Sequence, residues 1–457
     1  MGSSYKTTNP VTGELVREYQ VISDAEVEEA ISAAFDAYGR WRATKLVKRI
    51  ELLARIAELY RERQDELAAT ITLEMGKPIT QARAEVQLVA SIYDYYADNG
   101  ERFLADERLE IAGAGEAFVS TEPIGPLLGI MPWNFPYYQV ARFAAPNLLL
   151  GNTILLKHAR NCPQAALAME EIARQAGLPD GTYRNLFITS GQVANILADD
   201  RVRGVSLTGS ERAGSAVAEV AGRHLKKYVL ELGGSDPFVV LDGVDLDHTV
   251  RAAVNGRMYN GGQACTASKR IIVVGDTYEA FLEAFVPAMA AVRPGDPTDP
   301  ETTFGPLCSQ SAVDEIAELV DDAVRSGAVL RTGGKRLDGP GAFYEPTVLT
   351  GVTPSMRAYR EELFGPVAVV HRVDSVEEAI TLANDSPYGL GASVFGADIA
   401  QARAVAEQLE TGMVWLNGIS RSAPDLPFGG VKRSGVGREL ARFGVEEFAN
   451  KKLIRIP

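Results

Sequence analysis

A chain of 457 residues exceeds what one hydrophobic core supports, since cores stop growing at about 250 to 300 residues, so two or three structural units are expected. Apolar residues make up 46% and charged residues 23%, ordinary globular values that exclude wholesale disorder, collagen-like repeats and small disulfide scaffolds. The net charge of −14, from 46 basic and 60 acidic side chains without a basic patch, argues against nucleic acid or an anionic membrane surface as partner.

The opening MGSSYK lacks the basic-then-apolar pattern of a signal peptide, and Lys6 occupies the Ser/Thr position of a myristoylation motif, so no targeting is readable. From Asp24 to about Asp106 the text is helical, with apolar residues at three- and four-residue spacing. Three helices fit, punctuated by Gly39, Gly76 and Gly100. Residues 107–123 read as a hairpin with a Gly-rich turn. The longest uncharged run, Glu122 to Arg142, is long enough on paper to span a bilayer, but Pro126, Pro132 and Pro136 break it into buried core.

After Pro123, short apolar runs (GPLLGIM, TILLK, LFITS) alternate with Ala-rich amphipathic stretches (Val140 to Leu150, Gln164 to Ala176), the pattern of βαβ units on a parallel sheet. A second such series begins near Asp236 with PFVVL, a helical Leu246 to Tyr259, RIIVV, and a helical Tyr278 to Val292. The fold class is therefore α/β, with two interwoven α/β domains. The closing KKLIRIP reads as a lone edge strand, which needs a partner, and another subunit is one source of it. Three cysteines, Cys162, Cys265 and Cys308, are too few and too odd in number for a disulfide framework and suit a reducing, cytoplasmic compartment.

Several strings can carry chemistry. In NGGQACTASKR, Cys265 follows paired glycines that let backbone approach a ligand, so its thiol can act as a nucleophile. Taken alone, a cysteine is more often a small buried hydrophobe, and Cys162 and Cys308 are read that way. In LELGGSDPF, Glu231 interrupts an apolar stretch; such surroundings raise a carboxyl pKa and make a general base, although a salt-bridged strand end is an equal reading. In IMPWNFP, Asn134 sits in a Pro-flanked turn where a fixed amide can donate to an oxyanion, or simply form an Asx turn. Lys157 in NTILLKHARN ends a strand, Gly209 and Ser210 in SLTGSERAG open a helix, and Glu362 lies in EELFGPV; ligands gather at such strand ends and helix starts. No GxGxxG or Walker string occurs, and the four histidines lack metal-ligand spacing, so metal catalysis is not expected.

In this order the strings resemble the aldehyde dehydrogenase superfamily over essentially the whole chain, from NPVTGE to PFGGVKRSGVGRE. The resemblance implies oxidation of a small-molecule aldehyde through a Cys265 thioester, which Glu231-activated water hydrolyses, with Asn134 and the Cys265 backbone N–H as oxyanion hole. It also implies that Trp133, Lys157, Gly209, Ser210, Glu362 and Phe364 contact a nicotinamide cofactor. The implied fold is a Rossmann-like cofactor domain (1–106 and 124–232), a catalytic domain (233–430), and a small β oligomerisation part (107–123 and 440–457) that builds a homodimer or homotetramer.

KHARN, LELGGSDPF and WNFPxxQxxR are most similar to succinate-semialdehyde dehydrogenases, in which the arginine matching Arg142 binds the substrate's distal carboxylate. A second family arginine is Tyr259 here, which leaves Arg421 as a possible recruit. The usual Lys after ELGG is Ser235, and the redox cysteine that some relatives pair with the nucleophile is Ala267. The third residue after Lys157 is an acid in many NAD-preferring relatives but Arg160 here; a cation can accept a 2′-phosphate, so NADP is expected, with NAD as the alternative. A dehydrogenase for another aldehyde, a CoA-acylating relative and a non-enzymatic structural relative are the competing readings. Retention of Cys265, Glu231 and Asn134 favours the hydrolytic enzyme.

Overall fold

The computed structural model describes residues 4–457. An antiparallel pair, β1 (Tyr5–Thr8) and β2 (Leu15–Tyr19), precedes four helices rather than three: α1 (Asp24–Trp41), α2 (Leu46–Glu62), α3 (Gln64–Met75) and α4 (Ile79–Phe103). A capping box of Ser23 and Glu26 starts α1. Gly76 ends α3 in the left-handed conformation at φ +78°, as a C-terminal glycine does. Gly39 and Gly100 lie inside α1 and α4 instead, and α2 parts from α3 at Arg63, where neither glycine nor proline marks the break. Gly100 serves packing: a Cβ there would stand 2.8 Å from Leu149.

Next come β3 (Glu107–Arg108) and β4 (Glu116–Pro123), an antiparallel hairpin. The first parallel series is β5 (Pro126–Ile130), α5 (Tyr138–Leu150), β6 (Thr153–Lys157), α6 (Pro163–Gln175), β7 (Tyr183–Asn185), α7 (Ser190–Ala198), β8 (Gly204–Thr208), α8 (Glu211–Arg223) and β9 (Lys227–Glu231). The proline-broken run divides into β5, a turn holding Pro132 and Pro136, and α5, all of whose residues are buried. Among the described residues no helix is long and apolar enough to cross a membrane. LFITS is not a strand. The strand ends just before it at Asn185, and Thr189 is drawn into a capping box with Gln192 that starts α7.

The second series holds β10 (Asp236–Val240), α9 (Leu246–Met258), β11 (Ser268–Val274), α10 (Thr277–Ala291), α11 (Gln310–Arg325), β12 (Val329–Thr332), β13 (Thr347–Thr350), β14 (Val367–Val373), β15 (Tyr388–Gly389), β16 (Gly391–Phe395) and β17 (Met413–Leu416). After these stand β18 (Val431–Lys432), β19 (Gly435–Val436) and β20 (Ala449–Ile456). One sheet has the order β19-β9-β8-β5-β6-β7 and the other β12-β13-β14-β11-β10-β16-β17. In the first, β5 to β9 pair in parallel and β19, from the far end of the chain, joins antiparallel with Gly435 opposite Glu231. Gly435 has φ +141°, and a Cβ there would meet the Leu230 carbonyl oxygen at 1.9 Å, so only glycine lets the strands close. β20 pairs with β4 in its own chain from Ala449–Pro123 to Ile456–Glu116, giving a three-stranded sheet with β20 as an edge.

From β5 the chain winds outward to β6 and β7, then returns to β8 and β9 on the other side of β5. Strand order therefore reverses between β5 and β8, and their carboxyl ends open the crevice in which such sheets bind ligands.

Candidate active site

Three loops converge at that crevice: the turn after β5 (131–137), the segment after β9 (232–235), and the loop between α9 and β11 that carries Cys265. Asn260, Gly261 and Gly262, at φ 52°, 63° and 77°, curl the last of these toward the first. Asn134, buried, then donates its side-chain N–H to the Gln263 carbonyl at 3.0 Å, while its own carbonyl accepts from the Asn260 amide at 2.9 Å. Asn134 and the Cys265 loop are thus held against each other by reciprocal bonds. From behind, Glu85 of α4 accepts the N–H groups of Tyr137 (3.0 Å) and Tyr138 (3.2 Å) at the start of α5. Its other oxygen pairs with buried Lys77, whose ammonium lies 3.7 Å from the centre of the Phe135 ring.

Cys265 is partly exposed, and loss of solvent pushes its thiol up to about 12. Arg142 and Lys269 pull it down, whereas Glu362 and Asp236 add to the rise. The resting group is a thiol and needs a base or an added cation to become a nucleophile. Glu231 ends β9 fully within the protein, and burial raises its carboxyl well above the ordinary range, with Arg142 opposing and Glu439 assisting. Neither of its oxygens has a hydrogen-bond partner among the described residues. Once ionised, an unpartnered carboxyl whose proton affinity is raised by burial is a stronger base than a solvated one, which suits it to taking a proton from water.

Of the expected cofactor contacts, Ser210 caps α8, its Oγ accepting the Ala213 N–H, and lines a cavity of about 460 Å³ with Gly233, Glu362 and Tyr388. Trp133 and Phe364 meet edge to face at 5.7 Å. Lys157 ends β6, its amine pushed down to about 8 by burial and by the Arg160 guanidinium. Arg160 is exposed and borders a separate depression with Lys6, Asn161 and Cys308 rather than the cavity of Glu362. The donor set suits a dinucleotide: cations beside one strand end for phosphate, a helix start at Ser210, and a carboxylate for hydroxyl groups.

Arg142 has no exposed side chain. Its Nε forms an ion pair with Glu439 at 2.8 Å, and the ring of Phe428 covers it at 4.2 Å. Nη1 donates to the Tyr138 hydroxyl at 3.3 Å, and that hydroxyl donates to Ser422 Oγ at 2.6 Å. Arg421 is exposed next to Ser422, and its charge reaches Tyr259, which is half-exposed and packs on Phe135 at 5.8 Å. Sequence reasoning passed over Glu85, Lys269, Ser422 and Glu439. Glu85 had a signal, since it shares the apolar face of Ala82, Val86 and Val89. Lys269 had one too, standing two residues before the apolar run IIVV that reads as a strand.

The aldehyde dehydrogenase family model matches residues 1–454. The chain is 54% identical over 451 residues to the succinate-semialdehyde dehydrogenase (NADP+) of Deinococcus radiodurans, covering 99% of this chain and 94% of that protein. It is 48% identical over 451 residues to succinate-semialdehyde dehydrogenase (NADP+) 1 of Mycobacterium ulcerans, covering 98% of each. The solved structure of the succinic semialdehyde dehydrogenase of Streptococcus pyogenes, in complex with NADP+ as the cofactor, matches with a TM-score of 0.97 at 43% identity, over 99% of this chain and all of that one. The chain belongs to the aldehyde dehydrogenase family.

Proposed function

We propose that this aldehyde dehydrogenase oxidises succinate semialdehyde to succinate with NADP+, releasing the acid by hydrolysis of a thioester on Cys265. The observation that carries the reading is the reciprocal bonding of Asn134 with the Cys265 loop, which sets an amide donor beside the nucleophile. The names of the relatives at 54% and 48% identity support the substrate and the cofactor. Bound NADP+ supplies the two-electron acceptor. Lys157, Ser210, Glu362, Trp133 and Phe364 are the residues to hold it, with Arg160, beside Lys157, for the 2′-phosphate.

In this scheme the Cys265 thiolate adds to the aldehyde carbon while Asn134 and the Cys265 N–H face the oxygen that gains charge. Once the adduct is oxidised to the thioester, Glu231 takes a proton from water, whose oxygen attacks the carbonyl carbon and expels the Cys265 sulfur. The substrate's distal carboxylate is received at the Ser422 hydroxyl and the Arg421 guanidinium. Arg142 stands behind the Tyr138 hydroxyl and polarises the relay to Ser422.

The part holding 1–106 and 124–232 is assigned to the cofactor, 233–430 to catalysis, and 107–123 with 440–457 to assembly of a homodimer or homotetramer. The exposed Leu453 and Ile456 on the edge strand β20 support the last assignment. The three cysteines are unpaired, which supports a cytoplasmic setting. The test is a panel of aldehydes assayed with NADP+ and NAD+, with and without CoA. Succinate semialdehyde is expected to be preferred over butanal, with NADP+ and without need of CoA; a preference for butanal, strict use of NAD+, or acyl-CoA as product would each sink the corresponding part.

A further inference from the structure

Lys269 is a buried cation that the scheme above leaves unused. It stands near the start of β11 with 1% of its surface exposed. An ammonium has three hydrogens to place, and three acceptors surround this one: the carbonyl oxygens of Ala264 at 2.9 Å and Cys265 at 2.7 Å, and Glu362 Oε1 at 3.0 Å. The same Oε1 accepts the Gly234 N–H at 3.1 Å. Gly234 packs so closely on the nucleophile loop that a Cβ there would stand 2.5 Å from the Cys265 carbonyl oxygen. The nucleophile loop, the segment after Glu231 and the segment carrying Glu362 are all fastened around one nitrogen.

We propose that Lys269 is a positioning residue for the reaction, clamping the Cys265 backbone and the Glu362 carboxylate to one point and setting the balance of charge beside the thiol. This rests on the reading of Cys265 as nucleophile. The charged and titratable groups facing Cys265 are Arg142 and Lys269, which favour the thiolate, Glu362 and Asp236, which oppose it, and the Tyr138 hydroxyl. The clamp therefore carries one charge of each sign. Removing its cation slows the thiol and removing its anion quickens it, whereas damage to a merely structural contact moves both variants the same way.

The experiment uses the full protein without cofactor or aldehyde. Iodoacetamide is added, the thiolate displaces iodide, and alkylation of each cysteine peptide is followed by mass spectrometry, with Cys308 as internal reference. Near neutral pH, Lys269→Gln is expected to slow alkylation of Cys265 by about tenfold, and Glu362→Gln to speed it several-fold, the effect of deleting a nearby charge of each sign. Alkylation at the wild-type rate in Lys269→Gln, or slowing in Glu362→Gln, overturns the proposal. If Lys269→Gln does not fold, Glu362→Gln alone decides, and an unchanged or lower rate there counts against the clamp. If Cys265 of the wild type stays unlabelled even at about pH 10, where a thiol raised to about 12 supplies some thiolate, while Cys308 reacts, the nucleophile reading itself falls, and the clamp with it.

Discussion

Replacing Arg142 by Leu tests the ion pair seen in the structure and the relay role proposed for the same guanidinium. The side chain of Arg142 is fully covered and that of Glu439 is 5% exposed, so the ion pair between them lies out of water. Deleting one partner of a buried pair leaves the other as an uncompensated charge, at a cost of about 3 to 5 kcal/mol. Against a typical total of about 5 to 15 kcal/mol that is a large fraction, and the unfolding midpoint in urea followed by circular dichroism is expected to fall clearly. The double variant Arg142→Leu/Glu439→Leu removes both charges and is expected to recover most of the loss, because buried pairs are often matched by apolar residues of similar volume. Ser206, which donates to Glu439 at 3.1 Å, then loses its acceptor, a residual penalty of about 1 kcal/mol. Kinetics separate the second role. Without the cation behind Tyr138, the kcat/KM ratio of succinate semialdehyde to butanal is expected to drop about fivefold in the double variant, the difference between a polarised and an ordinary hydrogen bond. A single variant as stable as the wild type refutes the ion-pair argument; an unchanged ratio in the double variant refutes the relay.

Arg421→Leu, at an exposed position, is expected to leave stability within about 0.5 kcal/mol and to lower the same ratio about tenfold or more, read from kcat/KM. Glu231→Gln should retain a burst of NADPH but turn over poorly, because the deprotonation of water is lost while the thiol remains; an unchanged steady-state rate would exclude Glu231 as base. Arg160→Glu should lower the ratio of NADP+ to NAD+ use, measured as kcat/KM for each cofactor, and no change would place Arg160 outside the cofactor contact. Glu74, buried against Thr7 and the start of α6, has its carboxyl raised from 4.5 to about 7 by burial. The stability it lends is full below pH 4.5 and is lost as pH rises through about 7, so Glu74→Gln should gain on the wild type with rising pH, by up to about 3 kcal/mol, in thermal melts taken across that range.

The α/β alternation and the chemistry-bearing strings were legible because each is written in local sequence: apolar runs of strand length, glycines beside Cys265, an acid alone in an apolar stretch at Glu231. Helix boundaries were less so. Arg63 breaks a helix through its own backbone torsions, and Gly39 and Gly100 continue one because packing tolerates or requires a missing side chain there. The LFITS run has strand composition, yet a capping pair three residues apart takes its end into a helix. What sequence could not show was the partner of each buried charge. Arg142 reads as a receptor for a substrate carboxylate, and nothing local announces that Glu439, almost three hundred residues away, stands beside it.

That pattern of pairing bears on how the site is assembled. Arg142 and Glu439, Lys269 and Glu362, and Lys77 and Glu85 each form a salt bridge with little or no access to water, and all three flank the segments that hold Asn134, Cys265 or Glu231. Unpaired, any of these charges would cost several kcal/mol, so the buried position of each segment depends on the one bearing its counter-charge. Two of the three pairs draw on the last hundred residues of the chain, as does β19, which lies against Glu231. The catalytic geometry therefore depends on the C-terminal segment, which packs against strands from far earlier in the sequence. Truncation before Phe428 is expected to leave the first sheet without β19 and both Arg142 and Glu231 without their neighbours, abolishing activity even where helical content, read by circular dichroism, is largely kept. Activity in such a truncated chain would refute this account of how the site closes.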